Sequence, residues 1–264
     1  MPTNDSSFFV WVGFILEEYG LLFLRGTGNT LVVALTGTVI GFILGLLVAI
    51  LRTIPIPVND SLVKKVGKKG LSFLLGVYIE VFRGTPMIVQ AMVIYYGSMM
   101  AGFGMSVLFA AIFIISINTG AYMAEIIRGG IISVDKGQKE AAHAIGMTHW
   151  QSMIYVVLPQ AVRNIMPSIG NEFVVNIKDS SVLNVISVNE LFFASKAAAG
   201  RFVRYFEVFF ITACIYLILT FSVTRILRFI EKKMDGNATY TIHGSQSYSK
   251  GVVHAVKGGD ELDV

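Results

Sequence analysis

The sequence predicts an all-α integral membrane protein, and three observations carry that prediction. Charged residues occupy 14% of the 264 positions, against about 25% in soluble domains. Hydrophobic residues occupy 54%, more than a soluble surface of this charge would hide. Several runs are long enough and apolar enough to cross hydrocarbon as helices, each satisfying its own backbone hydrogen bonds.

The elements follow in chain order. Residues 8–23 are apolar but split by Glu17 and Glu18, which predicts an interfacial amphipathic helix on the outer surface. Residues 1–25 form that N-terminal segment, and Asp5 stands where a cleavable signal would carry basic residues. Residues 31–51 contain no charge, enough for one crossing of about 30 Å. Gly37, Gly41 and Gly45 recur every four residues there, so they share one face, suited to close helix packing or to gating. A second span, 74–99, is interrupted by Glu80, Arg83, Gly84 and Pro86. A third, 106–124, has only Asn118 as a strongly polar residue. A less apolar span at 153–177 carries Arg163 and Glu172, and the last lies at 208–224. The transmembrane unit is therefore 26–233, and the polar tail 234–264 lacks the periodicity to build a core, which predicts disorder. The Asn237 sequon in it has no expected role.

Five spans agree with the charge map. Arg52, Lys64, Lys65, Lys68 and Lys69 surround the first loop, Arg128, Lys136, Lys139 and Arg163 the loop after the third span, and Arg225, Arg228, Lys232 and Lys233 follow the last. Positive residues stay cytoplasmic, so the N-terminus is expected outside and the C-terminus inside. Lys196, Arg201 and Arg204 run against this rule, either as a tolerated exception or as an outer surface for an acidic partner. No metal site is expected. His143, His149, His243 and His254 have no ligand spacing, and Cys214 is the one cysteine.

The loop at about 134–160 contains GQKEAAHAIGMTHWQSMIYVVLPQAV. Glu140, Ala141, Ala142, Gly146, Leu158 and Pro159 stand at the spacing of the EAA loop, with Val156 in the place of its isoleucine. Here the chain resembles the permease subunits of ATP-binding-cassette (ABC) importers. The residues 139–145 are good helix formers with a small-residue face, and Gly146 suits a left-handed helix end. The resemblance implies a type I importer fold of five transmembrane helices with cytoplasmic coupling helices. It further implies that Gly137, Glu140, Ala141, Ala142, Gly146, Leu158 and Pro159 couple to cytoplasmic ATP-binding subunits. No G-x-x-x-x-G-K-[ST] phosphate loop occurs in this chain. The expectation is a transport subunit that is not itself an enzyme and holds no cofactor, with ATP and magnesium on the partner.

Three further motifs, Gly28-Asn29-Thr30-Leu31, Glu80-Val-Phe-Arg83-Gly84-Thr85-Pro86 and Lys178-Asp179-Ser180-Ser181, resemble the polar-amino-acid branch of that family. That branch includes the histidine, arginine, glutamine and glutamate importers. Together with the loop the resemblance covers most of 20–233. It implies a bacterial inner-membrane location, a second permease subunit (a copy or a homologue) and an external solute-binding protein; nucleic acid is not an expected partner. Charges inside membrane segments are costly and mark function by default. Glu80 and Arg83 sit three apart and can pair on a helix face, as can Glu125 and Arg128; each pair either lines a path or locks helices. Pro86 disfavours helical geometry at Thr85. Asp179 either meets a substrate ammonium, with Asn29, Thr30, Ser180 and Ser181 as hydrogen-bonding neighbours, or caps a helix. An ABC permease for another small solute, and a secondary transporter using Glu80, Asp179 and Glu190, are the alternatives. The latter leaves the EAA loop unexplained.

Overall fold

In the computed structural model the described residues are 1–3, 5–53 and 61–234. They form nine α-helices and no strand: α1 Phe8–Thr53, α2 Leu62–Gly84, α3 Met87–Met100, α4 Val107–Ser133, α5 Lys136–Ala144, α6 His149–Ser152, α7 Leu158–Asp179, α8 Leu191–Phe202 and α9 Tyr205–Met234. A π-helical turn, Met153–Val157, joins α6 to α7, and a 3-10 segment, Ser180–Ile186, follows α7. Among the described helices α1, α4 and α9 are each long and apolar enough to cross a membrane. The pair α2 and α3, bent by 113°, makes a fourth if taken as one span. The tail from 235, with Asn237, lies outside the described residues.

The boundary expected near residue 25 falls inside one uninterrupted helix. α1 has 46 residues, about 70 Å of helix, and contains no proline. Glu17 and Glu18 are exposed, so they do not interrupt the packed face. That face carries Trp11, Ile15 and Phe23 into a cluster with Leu191, Ala194, Ala198, Val208 and Ile211 from α8 and α9.

The centre of the fold is the contact of α1 with α4. Gly37, Gly41 and Gly45 lie against Ile115, Thr119 and Met123 in turn, two rows that both repeat every four residues. A Cβ on Gly41 would sit 2.7 Å from the Thr119 Cβ and 3.1 Å from the Ser116 carbonyl oxygen. In lipid such backbone approach replaces the hydrophobic effect as the packing force, so the close-packing reading of these glycines holds. α7 then joins by packing Ala161 and Ile165 against Ala49 of α1 and Met123, Ile127 and Ile131 of α4, and through a buried amide. Asn176, 3% exposed, donates to Thr38 Oγ1 on α1 at 2.8 Å and to Thr119 Oγ1 on α4 at 3.0 Å. Thr119 donates back to Asn176 Oδ1 at 3.1 Å.

A second buried node ties α8 and α9 to α1. Glu190 is 0% exposed. Its carboxylate caps α8, accepting from the Phe192 and Phe193 amides at 2.8 and 2.7 Å, and accepts from the Tyr216 hydroxyl of α9 at 3.0 Å. Thr30 of α1 accepts from the Leu191 amide at 3.2 Å.

Gly41→Ala forces backbone apart at the α1–α4 contact and is expected to lower stability by about 1–3 kcal/mol. Gly13→Ala, where a Cβ meets nothing within 4 Å, is expected to hold or raise it, because alanine favours helix. Thermal unfolding of the detergent-purified variants checks the pair; equal effects would refute the packing account.

Candidate functional site

The site begins with a missing hydrogen-bond donor. In a continuous helix the Phe82 carbonyl would accept from the amide of residue 86, but Pro86 has none. The helix stops there: Thr85 is extended, with φ −121° and ψ 146°, and α3 leaves at 113° to α2. The freed carbonyls find other donors. Gln90, 6% exposed, donates through Nε2 to the Phe82 oxygen at 2.9 Å, the Thr85 oxygen at 2.9 Å and Thr85 Oγ1 at 2.8 Å. Asn118 of α4 donates to the Phe82 oxygen at 3.2 Å and to Gln90 Oε1 at 2.9 Å. Such satisfaction makes non-helical backbone tolerable at membrane depth.

This bend forms one wall of a 340 Å³ cavity. Thr85, Pro86 and Met87 line it from the bend, Asn118 and Tyr122 from α4, and Glu172, Val175, Asn176 and Asp179 from α7. Glu172 and Asp179 are seven positions apart, two helical turns on one face, so both carboxylates reach the same space. The arrangement offers anionic groups with hydroxyl, phenol and amide neighbours, the chemistry that holds an ammonium and fixes its orientation. Asp179 makes no side-chain capping bond to the 3-10 segment it precedes, so the helix-capping alternative is not realised.

Thr85 and Asp179 therefore meet as expected; the other expected path residues do not join them. Asn29 donates to the Asn189 carbonyl at 2.6 Å, and Thr30 belongs to the Glu190 node. Ser180 is buried and donates to the Ile177 carbonyl at 2.9 Å, while Ser181 is absent from the cavity lining. Glu80 is exposed on α2 and does not pair with Arg83, whose guanidinium instead lies 5.4 Å from the Tyr122 ring centre, within cation–π range. Glu125 and Arg128 do pair, at 2.7 Å, and Arg52 of α1 joins Glu125 at 3.0 Å. That cluster locks the end of α1 to α4.

The EAA loop is a compact cap-turn-cap unit. Asp135 caps α5 by accepting from the Gly137 amide at 2.7 Å. α5 ends in paired reverse bonds, Gly146 amide to His143 carbonyl and Met147 amide to Ala142 carbonyl, both 3.0 Å. Gly146 has φ +85°, the left-handed geometry that glycine adopts without strain. Thr148 and Gln151 then form a reciprocal capping box on α6. Leu158 and Pro159 open α7 directly after the π-helical turn, where the Leu158 amide donates to the Met153 carbonyl. Ala142 faces inward at 3% exposure. Glu140, Ala141 and Ala144 face outward beside Ile145, which is 76% exposed.

Comparison with known proteins places this geometry. Residues 66–236 match the family model described as binding-protein-dependent transport system inner membrane component. The chain belongs to this family. It is 38% identical over 216 residues to the glutamine transport system permease of Escherichia coli (strain K12), covering 81% of this chain and 93% of that one. It is 34% identical over 215 residues to the arginine transport system permease of Bacillus subtilis (strain 168), with the same coverages. The crystal structure of an amino acid ABC transporter with histidines superposes with a TM-score of 0.76 at 36% identity, covering 87% of this chain and 99% of that one. An inward-facing methionine ABC transporter, at 20% identity and a TM-score of 0.69 over 83% of this chain and 98% of that one, shares the fold. This family member is thus a multi-pass, all-α membrane permease.

Sequence reasoning missed Glu172, Gln90, Asn118, Tyr122 and Asn176 as site residues. The seven-residue spacing from Glu172 to Asp179 was the available signal. Gln90 and Asn118 act across 8 and 36 residues to one carbonyl, which no local pattern reveals.

Gln90→Leu leaves the Phe82 and Thr85 carbonyls short of donors and is expected to cost about 1–3 kcal/mol. Asn118→Leu should cost less, since Gln90 still serves both oxygens. Apparent unfolding temperatures of the purified variants test the order; a Gln90→Leu protein as stable as wild type would contradict it.

Proposed function

We propose that the chain is the transmembrane permease subunit of an ATP-driven importer for a polar amino acid. The observation that carries this reading is the cavity at the broken span, where Glu172 and Asp179 face Thr85, Asn118 and Tyr122. An amino acid presents an ammonium in every case, and a carboxylate is its natural partner. The relatives whose names give glutamine and arginine support the solute class.

In this reading the spans number five, with α7 as the fourth in order, and the N-terminus lies outside and the C-terminus in the cytoplasm of a bacterium. The outward side of α5, around Glu140, Ala141 and Ile145, docks in a groove of an ATP-binding subunit. ATP and magnesium belong to that partner, and this chain holds no cofactor of its own. α7 starts at the docking loop and ends at Asp179, so movement of the loop is carried to the cavity along one helix. A second permease subunit, identical or homologous, completes the path, and an external binding protein delivers solute. An importer for another small solute would use the same loop; the paired carboxylates favour an ammonium-bearing one.

Asp179→Asn removes charge at nearly constant volume. Losing one ammonium contact costs about 1.5–3 kcal/mol, so the concentration for half-maximal uptake should rise roughly tenfold to a hundredfold. Glu140→Lys should instead abolish uptake while the chain stays in the membrane and loses its ATPase subunit on purification. Uptake of labelled amino acids by vesicles holding the assembled importer reads both. An unchanged concentration dependence for Asp179→Asn, or full co-purification and transport for Glu140→Lys, would each remove its part of the reading.

A further inference from the structure

α9 turns one stripe toward α7. Leu217, Phe221, Thr224 and Arg228 recur every three or four residues, with Thr220 beside them, so they share a helix face. That face, Arg225, and one turn of α7 with Val174 and Lys178 line a 250 Å³ groove. It lies on a different side of α7 from the solute cavity, which takes Glu172, Val175, Asn176 and Asp179. Three cations line the groove, Lys178, Arg225 and Arg228, and no carboxylate does. None of the three forms an ion pair among the described residues. Asp179, next to Lys178 in the chain, and Glu231, three residues after Arg228, line other cavities, and the one with Glu231 adjoins this groove. Thr220 and Thr224 give their hydroxyl protons to the Tyr216 and Thr220 carbonyls at 2.8 and 2.7 Å. They do not donate here, and their short side chains leave the space. Arg225 folds back along the helix, its guanidinium 4.7 Å from the Phe221 ring centre, which orients the fork of N–H donors.

We propose that this groove binds an anionic phospholipid, its phosphate held by Lys178, Arg225 and Arg228 and an acyl chain laid along Leu217 and Phe221. Three observations choose a lipid as the occupant. Leu217 and Phe221 are 68 and 57% exposed, and α9 buries the smallest share of the three helices long and apolar enough to cross a membrane. The groove therefore opens toward acyl chains. The apolar run of α9 ends at Thr224, which sets Arg225 and Arg228 at the depth of lipid phosphates. Basic pockets between membrane helices take anionic headgroups, and guanidinium groups match phosphate oxygens in pairs. A zwitterionic headgroup brings its own ammonium, which the three cations repel. Bound lipid would brace α7 against α9 one residue from Asp179. The binding does not depend on which solute is carried.

The test uses the full chain in phosphatidylcholine vesicles, alone and assembled with a second permease subunit and the ATP-binding subunits. The probe is phosphatidylglycerol with a photoreactive diazirine on one acyl chain. Peptide mapping should place cross-links at residues 217–221. Unlabelled phosphatidylglycerol should compete them away, and an equal amount of phosphatidylethanolamine should not. Lys178→Gln, Arg225→Gln and Arg228→Gln together should lower cross-linking there by at least about tenfold. Cross-links around Phe109, on an exposed apolar position of α4, should persist and show that the variant inserts. Glu231→Gln should cross-link at least as strongly as the unmodified chain. Absence of cross-links at 217–221, equal competition by phosphatidylethanolamine, or a triple variant that cross-links as the unmodified chain does would each overturn the proposal. So would displacement by inorganic phosphate at matched ionic strength, or cross-links that vanish once the second subunit is present. Uptake by the same vesicles reports separately on the transport reading.

Discussion

A proline inside a membrane helix withholds one N–H where no water can replace it, and much of this fold answers that deficit. The Phe82 carbonyl loses its helical donor to Pro86 and takes two side-chain donors instead, Gln90 from α3 and Asn118 from α4. Those bonds need α3 to fold back at 113° and need α4 close to the end of α2. Once both hold, Thr85 and Pro86 stand opposite α7, and the space between becomes the cavity. A continuous helix at this point would fill or flatten that space. The polar lining is thus a consequence of satisfying backbone, with Glu172 and Asp179 added from the facing helix.

The remainder of the chain holds that arrangement in place. The glycine face of α1 seats α4 at backbone contact, and Asn176 pins α7 to both through buried hydroxyls. Asn176 also lines the cavity, so the same amide is a structural tie and part of the wall. At the other end of α7 the chain passes through a π-helical turn into the EAA loop, whose caps are all satisfied locally. In the proposed function, the rigid loop at one end of α7 and the paired carboxylates at the other make this helix a lever between an ATP-binding subunit and the solute path.

Features fixed by local chemistry were legible in the sequence. Pro86 marked the break at Thr85, Gly146 marked a left-handed helix end, and the spacing of Gly37, Gly41 and Gly45 marked a close-packed face. Features that depend on distant partners were not. Glu80 and Arg83 satisfy the spacing of a helical ion pair, yet Arg83 turns to Tyr122 on another helix, and only the tertiary fold decides between them. Thr30 and Ser180 sit in motifs beside expected path residues but spend their hydroxyls on structure. Glu17 and Glu18 read as a break because hydropathy sums every face of a helix, whereas only the packed face must be apolar. Glu172 lowered the hydropathy of its span and so counted against it, although that same charge equips the cavity.

The proposed function depends on one claim, that solute passes the cavity between the bend and α7. The direct measurement is thiol accessibility at Val175→Cys, a cavity-lining position without a polar role, in a Cys214→Ser background within the assembled importer. A water-soluble maleimide should label Val175→Cys, and a transported amino acid should slow that labelling in proportion to its occupancy, while Phe109→Cys, on the exposed apolar side of α4, should remain unlabelled throughout. Labelling of Val175→Cys that no transported solute slows, or no labelling in any state of the ATPase cycle, would contradict the claim.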